Sequence, residues 1–162
     1  MQSRYSVLFV CLGNICRSPT AHGVFQHLVS QQGLSGIVEV DSAGTAAFHV
    51  GAKPDHRSIK VASERGYDLK RLRARKVQSE DFHRYDYILA MDNENLRNLQ
   101  EIMPDNPKAR LQLFLEHSEQ QRFSEVPDPY YGGARGFDLV LDLIEDASGG
   151  LLREIHQRLQ QD

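Results

Sequence analysis

The sequence predicts an α/β domain with a mostly parallel sheet. Three observations carry this. Short apolar runs alternate with longer stretches of helical spacing along the chain. The first run, Val7-Leu8-Phe9-Val10, is continuously apolar, as a strand buried on both faces requires. No repeat, low-complexity tract or linker interrupts the pattern, so residues 1–162 read as a single domain.

Residues 5–10 form the first strand. Residues 18–32 follow as a helix, with Ala21, Val24, Phe25, Leu28 and Val29 on one face and Gly33 as its stop. Residues 37–40 alternate as a second strand that ends in the turn Asp41-Ser42-Ala43-Gly44. Asp55 caps a helix over 56–65, closed by Gly66. Residues 85–91 form a third strand, and Asp92 caps a helix that runs to about residue 103, before Pro104. Residues 111–115 read as a fourth strand, and 127–133 as a turn-rich loop. Over 137–159 apolar positions recur at helical spacing, with a break offered at Gly149-Gly150. In a parallel sheet ligands bind beyond the carboxyl ends of the strands, where Cys11, Ser42, Asp92 and the Pro127 loop all fall.

Composition sets the bounds. The chain of 162 residues is 40% hydrophobic and 25% charged, ordinary for a soluble globular protein. A net charge of −3 gives no reason to expect a nucleic acid or an anionic membrane as partner, so any attraction for phosphate must be local. Two cysteines, Cys11 and Cys16, make a poor disulfide framework and point to a reducing compartment. The N-terminal apolar run is too short for a membrane span, and Asn14 and Arg17 interrupt it. The expected location is cytoplasmic.

The chemistry concentrates in Cys11-Leu12-Gly13-Asn14-Ile15-Cys16-Arg17-Ser18, where the first strand hands over to a helix. A helix N-terminus offers unpaired N–H groups and a partial positive charge, so it attracts anions. The same field stabilises the thiolate of a cysteine placed at the loop's start. Gly13 permits close approach of backbone to phosphate, and Asn14 tolerates the left-handed conformation that a nest of N–H groups needs. Ser18 brings a hydroxyl donor, and Arg17 a planar fork that grips two phosphate oxygens. An anion cradle holding a nucleophile suggests phosphoryl transfer through a phosphocysteine, with Cys11 attacking phosphorus in line and no metal or other cofactor. The leaving oxygen needs a proton. Asp128, stiffened by Pro127 and Pro129, is the best donor, and a protonated carboxyl there favours a mildly acidic optimum. Its plain reading is a turn-forming aspartate.

These motifs, together with Asp41-Ser42-Ala43-Gly44, His49-Val50-Gly51, Pro54-Asp55-His56-Arg57, Ala74-Arg75, Ile88-Leu89-Ala90-Met91-Asp92 and Asp128-Pro129-Tyr130-Tyr131, resemble the low-molecular-weight protein tyrosine phosphatases nearly end to end. The resemblance implies a doubly wound domain with a central four-stranded parallel sheet and helices on both faces. It implies Cys11 as nucleophile, Arg17 as phosphate binder and Asp128 as acid and base, with Leu12, Gly13, Asn14, Ile15, Cys16 and Ser18 completing the phosphate loop. Asn14 and Ser42 would hydrogen-bond to hold the loop, Ser18 would stabilise the thiolate, and Asp92 would orient Arg17, unless it serves only as a helix cap. Members of this family often carry a histidine where this chain has Leu72, which cannot donate a hydrogen bond.

Ile15, Phe48, Tyr130 and Tyr131 would wall a slot for an aromatic ring, favouring phosphotyrosine over the shorter phosphoserine. The related phosphoarginine phosphatases carry threonine at the position of Ile15 and lack the paired tyrosines, which leaves phosphoarginine as an alternative within the class. Arsenate reduction on this fold needs a downstream cysteine pair that the chain lacks. Cys16 is close enough in sequence to form a reversible, protective disulfide with Cys11. A metal site of Cys11, Cys16 and His22 or His27 has a spacing unlike common zinc patterns, and both histidines read as ordinary helix-surface residues. The expected partner is a tyrosine-phosphorylated protein, a bacterial tyrosine kinase among the candidates. The expected assembly is a monomer or weak homodimer, with Tyr130 and Tyr131 as self-association candidates.

Overall fold

Residues 4–129 and 133–161 are described by the computed structural model. Its strands are β1 (Tyr5–Cys11), β2 (Val38–Gly44), β3 (Tyr87–Ala90) and β4 (Arg110–Leu113). They form one parallel sheet in the order β2-β1-β3-β4. Five helices surround it: α1 (Arg17–Gln31), α2 (His56–Glu64), α3 (Asp81–Arg84), α4 (Asn93–Ile102) and α5 (Gly133–Gln161). Successive strand residues point to opposite faces, and β1 uses both. Val7 and Phe9 enter the larger core with Val24 and Phe25 of α1, Ala62 of α2 and Ile144 of α5. Leu8 and Val10 enter a smaller core with Phe82 of α3 and Leu99 of α4. The sheet is therefore covered on both faces, which explains why β1 lacks polar alternation.

Strand order decides where a ligand belongs. The chain leaves β1 toward β2 on one side and later returns to β3 on the other, so the order reverses between β1 and β3. Open parallel sheets bind ligands beyond the strand ends at this reversal. Cys11 ends β1 there, and Met91-Asp92 follow β3.

Two expected caps are present. The Asp55 carboxylate accepts from Arg57 N at 2.9 Å, and the Asp92 carboxylate from Asn95 N at 2.7 Å. Other readings differ. Asp41-Ser42-Ala43-Gly44, expected as a turn, instead continues β2, pairing in register with Leu8 to Cys11 of β1. Helix α5 runs unbroken through Gly149-Gly150. A Cβ on Gly150 would lie 1.9 Å from the backbone oxygen of His117, so this glycine marks close packing rather than a break. The fourth strand stops at Leu113, and Phe114–His117 form a 3-10 turn instead. Phe114 is fully buried there, its ring edge-on to Phe9 with centroids 4.9 Å apart. Finally, α3 has no counterpart in the sequence reading.

Candidate active site

The loop between β1 and α1 is held from outside by its carbonyls. Cys11 O accepts from Thr45 N at 2.9 Å, Leu12 O from Ala46 N at 3.0 Å, Ile15 O from Asp55 N at 2.7 Å and Cys16 O from Thr20 N at 3.2 Å. The C=O and N–H of a trans peptide point in opposite directions. Anchoring these carbonyls therefore turns the N–H groups of Leu12, Gly13, Cys16 and Arg17 the other way, into the cavity those residues line. Gly44 makes this docking fit, because a Cβ there would stand 2.7 Å from Leu12 O.

Asn14 takes the left-handed backbone conformation, with φ at 57°. Its buried amide is used at both ends. Oδ1 accepts from Arg75 N at 3.0 Å, and Nδ2 donates to Ser18 Oγ at 2.8 Å. A backbone N–H can only donate, so this partner also settles which way the amide points. Ser18 Oγ, accepting from Asn14, keeps its own proton to donate, and Cys11 Sγ lies 3.0 Å away. Cys11 is buried at the cavity floor.

Arg17 is 7% exposed. Its Nη1 donates to Asp92 Oδ2 at 2.7 Å and to Val126 O at 3.0 Å. Burial works to lower the Arg17 pKa, but the charges of Cys11, Asp92 and Asp128 outweigh it and hold the guanidinium above its ordinary value. Val126 is pinned twice, since its N–H also reaches Met91 O at 2.8 Å. That anchor sets the rigid Pro127-Asp128-Pro129 segment over the loop, and Asp128 joins Cys11 and Arg17 in one cavity of about 260 Å³. Ile15, Phe48 and His49 complete its sides. Phe48 is 75% exposed. Its loop is braced by Gly51 N to Ala74 O at 2.8 Å and by Ala74 N to Ala52 O at 2.9 Å.

The family model described as low molecular weight phosphotyrosine protein phosphatase matches residues 6–161. The chain belongs to that family. A low molecular weight phosphotyrosine protein phosphatase of Schizosaccharomyces pombe is 45% identical over 157 residues, covering 96% of this chain and 99% of its own. A crystal structure of an Entamoeba histolytica protein tyrosine phosphatase matches with a TM-score of 0.90 at 40% identity, covering 94% of this chain and 97% of its own. A drosophila arginine phosphatase matches with a TM-score of 0.85 at 32% identity, covering 92% and 96%.

Within this phosphatase fold, the structure brings together Cys11 to Ser18, Asp92, Phe48 and Asp128 as one constellation. Tyr130 and Tyr131 lie outside the described residues. Ser42 is buried behind the loop, yet its hydroxyl meets His22 Nδ1 at 3.0 Å rather than Asn14. His22 is thus half-buried rather than freely exposed. Burial pushes its pKa below the ordinary value, against the opposing charge of Asp41. Leu72 packs against the larger core. The alternative metal set is not assembled, because His22 turns to Ser42 and His27 packs edge-on to Tyr67. Among the described residues, no group of three or more His, Cys, Asp or Glu is placed to hold a metal ion.

Sequence reasoning missed two supports. Arg75 carries the backbone N–H that anchors Asn14, while its side chain bridges Asp41 at 3.1 Å and Asp81 at 3.1 Å. Burial lowers the Arg75 pKa, but these carboxylates outweigh it and raise it. His49 lines the cavity beside Gly13. Both stand in motifs that the resemblance singled out, but neither carried a role there.

Proposed function

We propose that the protein hydrolyses phosphotyrosine in proteins without a metal, through a phosphocysteine on Cys11. The observation that supports this most is the meeting of a buried thiol, a salt-bridged arginine and a carboxyl in one cavity. In the first step Cys11 Sγ attacks phosphorus, the bond to the tyrosyl oxygen breaks, and Asp128 gives that oxygen its proton. The loop N–H groups and Arg17 hold the three equatorial oxygens. In the second step water attacks phosphorus, gives its proton to Asp128, and the P–S bond breaks to release inorganic phosphate. Asn14 and Ser18 hold the loop and the thiolate. Asp92 and Val126 O keep Arg17 aimed, and the Ser42–His22 contact ties β2 to α1. The wall offered by Ile15 and Phe48 suits an aryl group, with Tyr130 and Tyr131 proposed as the opposite wall.

The buried free thiols suit a reducing, cytoplasmic setting, and no helix among the described residues is long and apolar enough to cross a membrane. Cys16 lines the same cavity as Cys11 and belongs to this reading as its redox partner. Peroxide would convert Cys11 to a sulfenic acid, which the Cys16 thiol would capture as a disulfide with loss of water. A Cys16→Ser variant that recovers from peroxide under thiol as fully as the parent would remove that role.

One comparison favours a second reading. The similarity to a drosophila arginine phosphatase keeps phosphoarginine as a competing substrate. Hydrolysis of phosphotyrosine, phosphoserine and phosphoarginine peptides, without added metal, separates the two. Selective phosphotyrosine turnover, abolished in Cys11→Ser and slowed about 10²- to 10⁴-fold in Asp128→Asn, is expected. Preference for phosphoarginine would overturn the role given to Ile15 and Phe48.

A further inference from the structure

The loop that carries Cys11 has a second side. Leu12 lines the catalytic cavity and also a larger one of about 480 Å³ next to it. This neighbour is built from Ala46 after β2, Lys76 in the segment that bridges Gly44, and Asn98, Glu101 and Ile102 of α4. Its volume is far more than one side chain needs. Its character is mixed: one cation, one carboxylate, two amides, two hydroxyls and aliphatic surface. That composition lacks the convergent positive charge of a second phosphate site. Leu12 and Ile102, 42% and 40% exposed, give this hollow an accessible aliphatic wall.

We propose that this cavity receives the peptide segment flanking the phosphotyrosine, and that an aliphatic side chain one or two residues away packs on Leu12 and Ile102. The inference rests on the phosphotyrosine reading above and extends it from the aryl phosphate to its sequence context. The position of the two cavities on either side of Leu12, which lines both, carries it. An extended chain advances about 3.3 Å per residue, so a side chain one or two residues from the phosphotyrosine lies within about 7 Å of it along the chain. Lys76, Asn98 and Glu101 supply both donors and acceptors for a peptide backbone crossing the hollow.

The test is kcat/KM on phosphotyrosine peptides with Leu or Ala one or two residues to either side, beside free phosphotyrosine and a small aryl phosphate. Leu at one of these positions should raise kcat/KM about tenfold over Ala. Ile102→Ser should erase that advantage and leave turnover of the small aryl phosphate unchanged. Asn98→Tyr, which fills the hollow, should do the same and guards against a folding defect in the first variant. Equal turnover of Leu and Ala peptides by the parent protein would overturn this inference alone. An equal fall on peptides and the small aryl phosphate in both variants would also overturn it. Failure of the parent on every phosphotyrosine substrate would overturn the function it rests on as well.

Discussion

Asp92 divides its carboxylate between two tasks. Oδ1 accepts from Asn95 N and caps α4, while Oδ2 accepts from Arg17. The sequence left these as alternatives, because a cap is local and readable, whereas the approach of Arg17 depends on β1 and β3 lying side by side. The two tasks separate by substitution. Asp92→Asn keeps a capping oxygen for Asn95 N but faces Arg17 with an N–H₂ in place of a charged acceptor, so kcat/KM should fall about 10- to 100-fold with the cap retained. Asp92→Ala should lose about 1 kcal/mol of stability in addition, measured by denaturant unfolding. His22 was misread for the same reason. It stands beside the apolar stripe of α1 in sequence, and only the docking of α1 on β2 buries it against Ser42. Its folded pKa lies below the ordinary 6.5, because burial opposes the charged form more than Asp41 favours it. The unfolded chain then takes up a proton that the folded chain refuses, so stability is full above about pH 6.5 and declines as pH falls toward the folded pKa. The half-buried His117 is shifted in the same direction, desolvation outweighing the charges of Glu154 and Glu116, and adds to the decline. Thermal melts across this range should show a flatter loss in His22→Asn than in the parent. An equal slope would remove His22 from the account.

At the scale of elements, the adjacent glycines of α5 show where local signals end. Read locally, Gly149-Gly150 is a helix stop. In the fold, Gly150 lets α5 lie directly on the turn at His117, and Gly149 has only Arg153 Nη2 at 3.8 Å beside its Cβ position. The two should respond with opposite signs. Gly150→Ala should destabilise by about 1–3 kcal/mol through overpacking against backbone. Gly149→Ala should stabilise by about 0.5–1 kcal/mol through helix propensity. Denaturant midpoints compare them, and equal effects would contradict the packing argument. The buried first strand and the aspartate caps were legible because each depends on a few consecutive residues. The early end of β4 was not, because Phe114 turns inward to meet Phe9 across the sheet.

For the whole molecule, alternating strands and helices were enough to predict the parallel sheet and the edge where the chemistry gathers. Strand order, and with it the reversal between β1 and β3, came only from the structure. So did the way Val126 ties the Pro127-Asp128 segment to Arg17 and Met91. In the proposed mechanism these distant parts form one two-step phosphoryl-transfer site. An aryl phosphate with an acidic leaving group needs little protonation in the first step, whereas the second step still needs a base. Asp128→Asn should therefore let the phosphocysteine accumulate. The most direct measurement is rapid mixing of Asp128→Asn with such a substrate, followed by acid quench and peptide mass analysis. A burst of phenol near one equivalent per protein and a phosphoryl group on Cys11 are expected. Linear phenol release with no phosphoryl group on the protein, under conditions where the parent turns over, would contradict that mechanism.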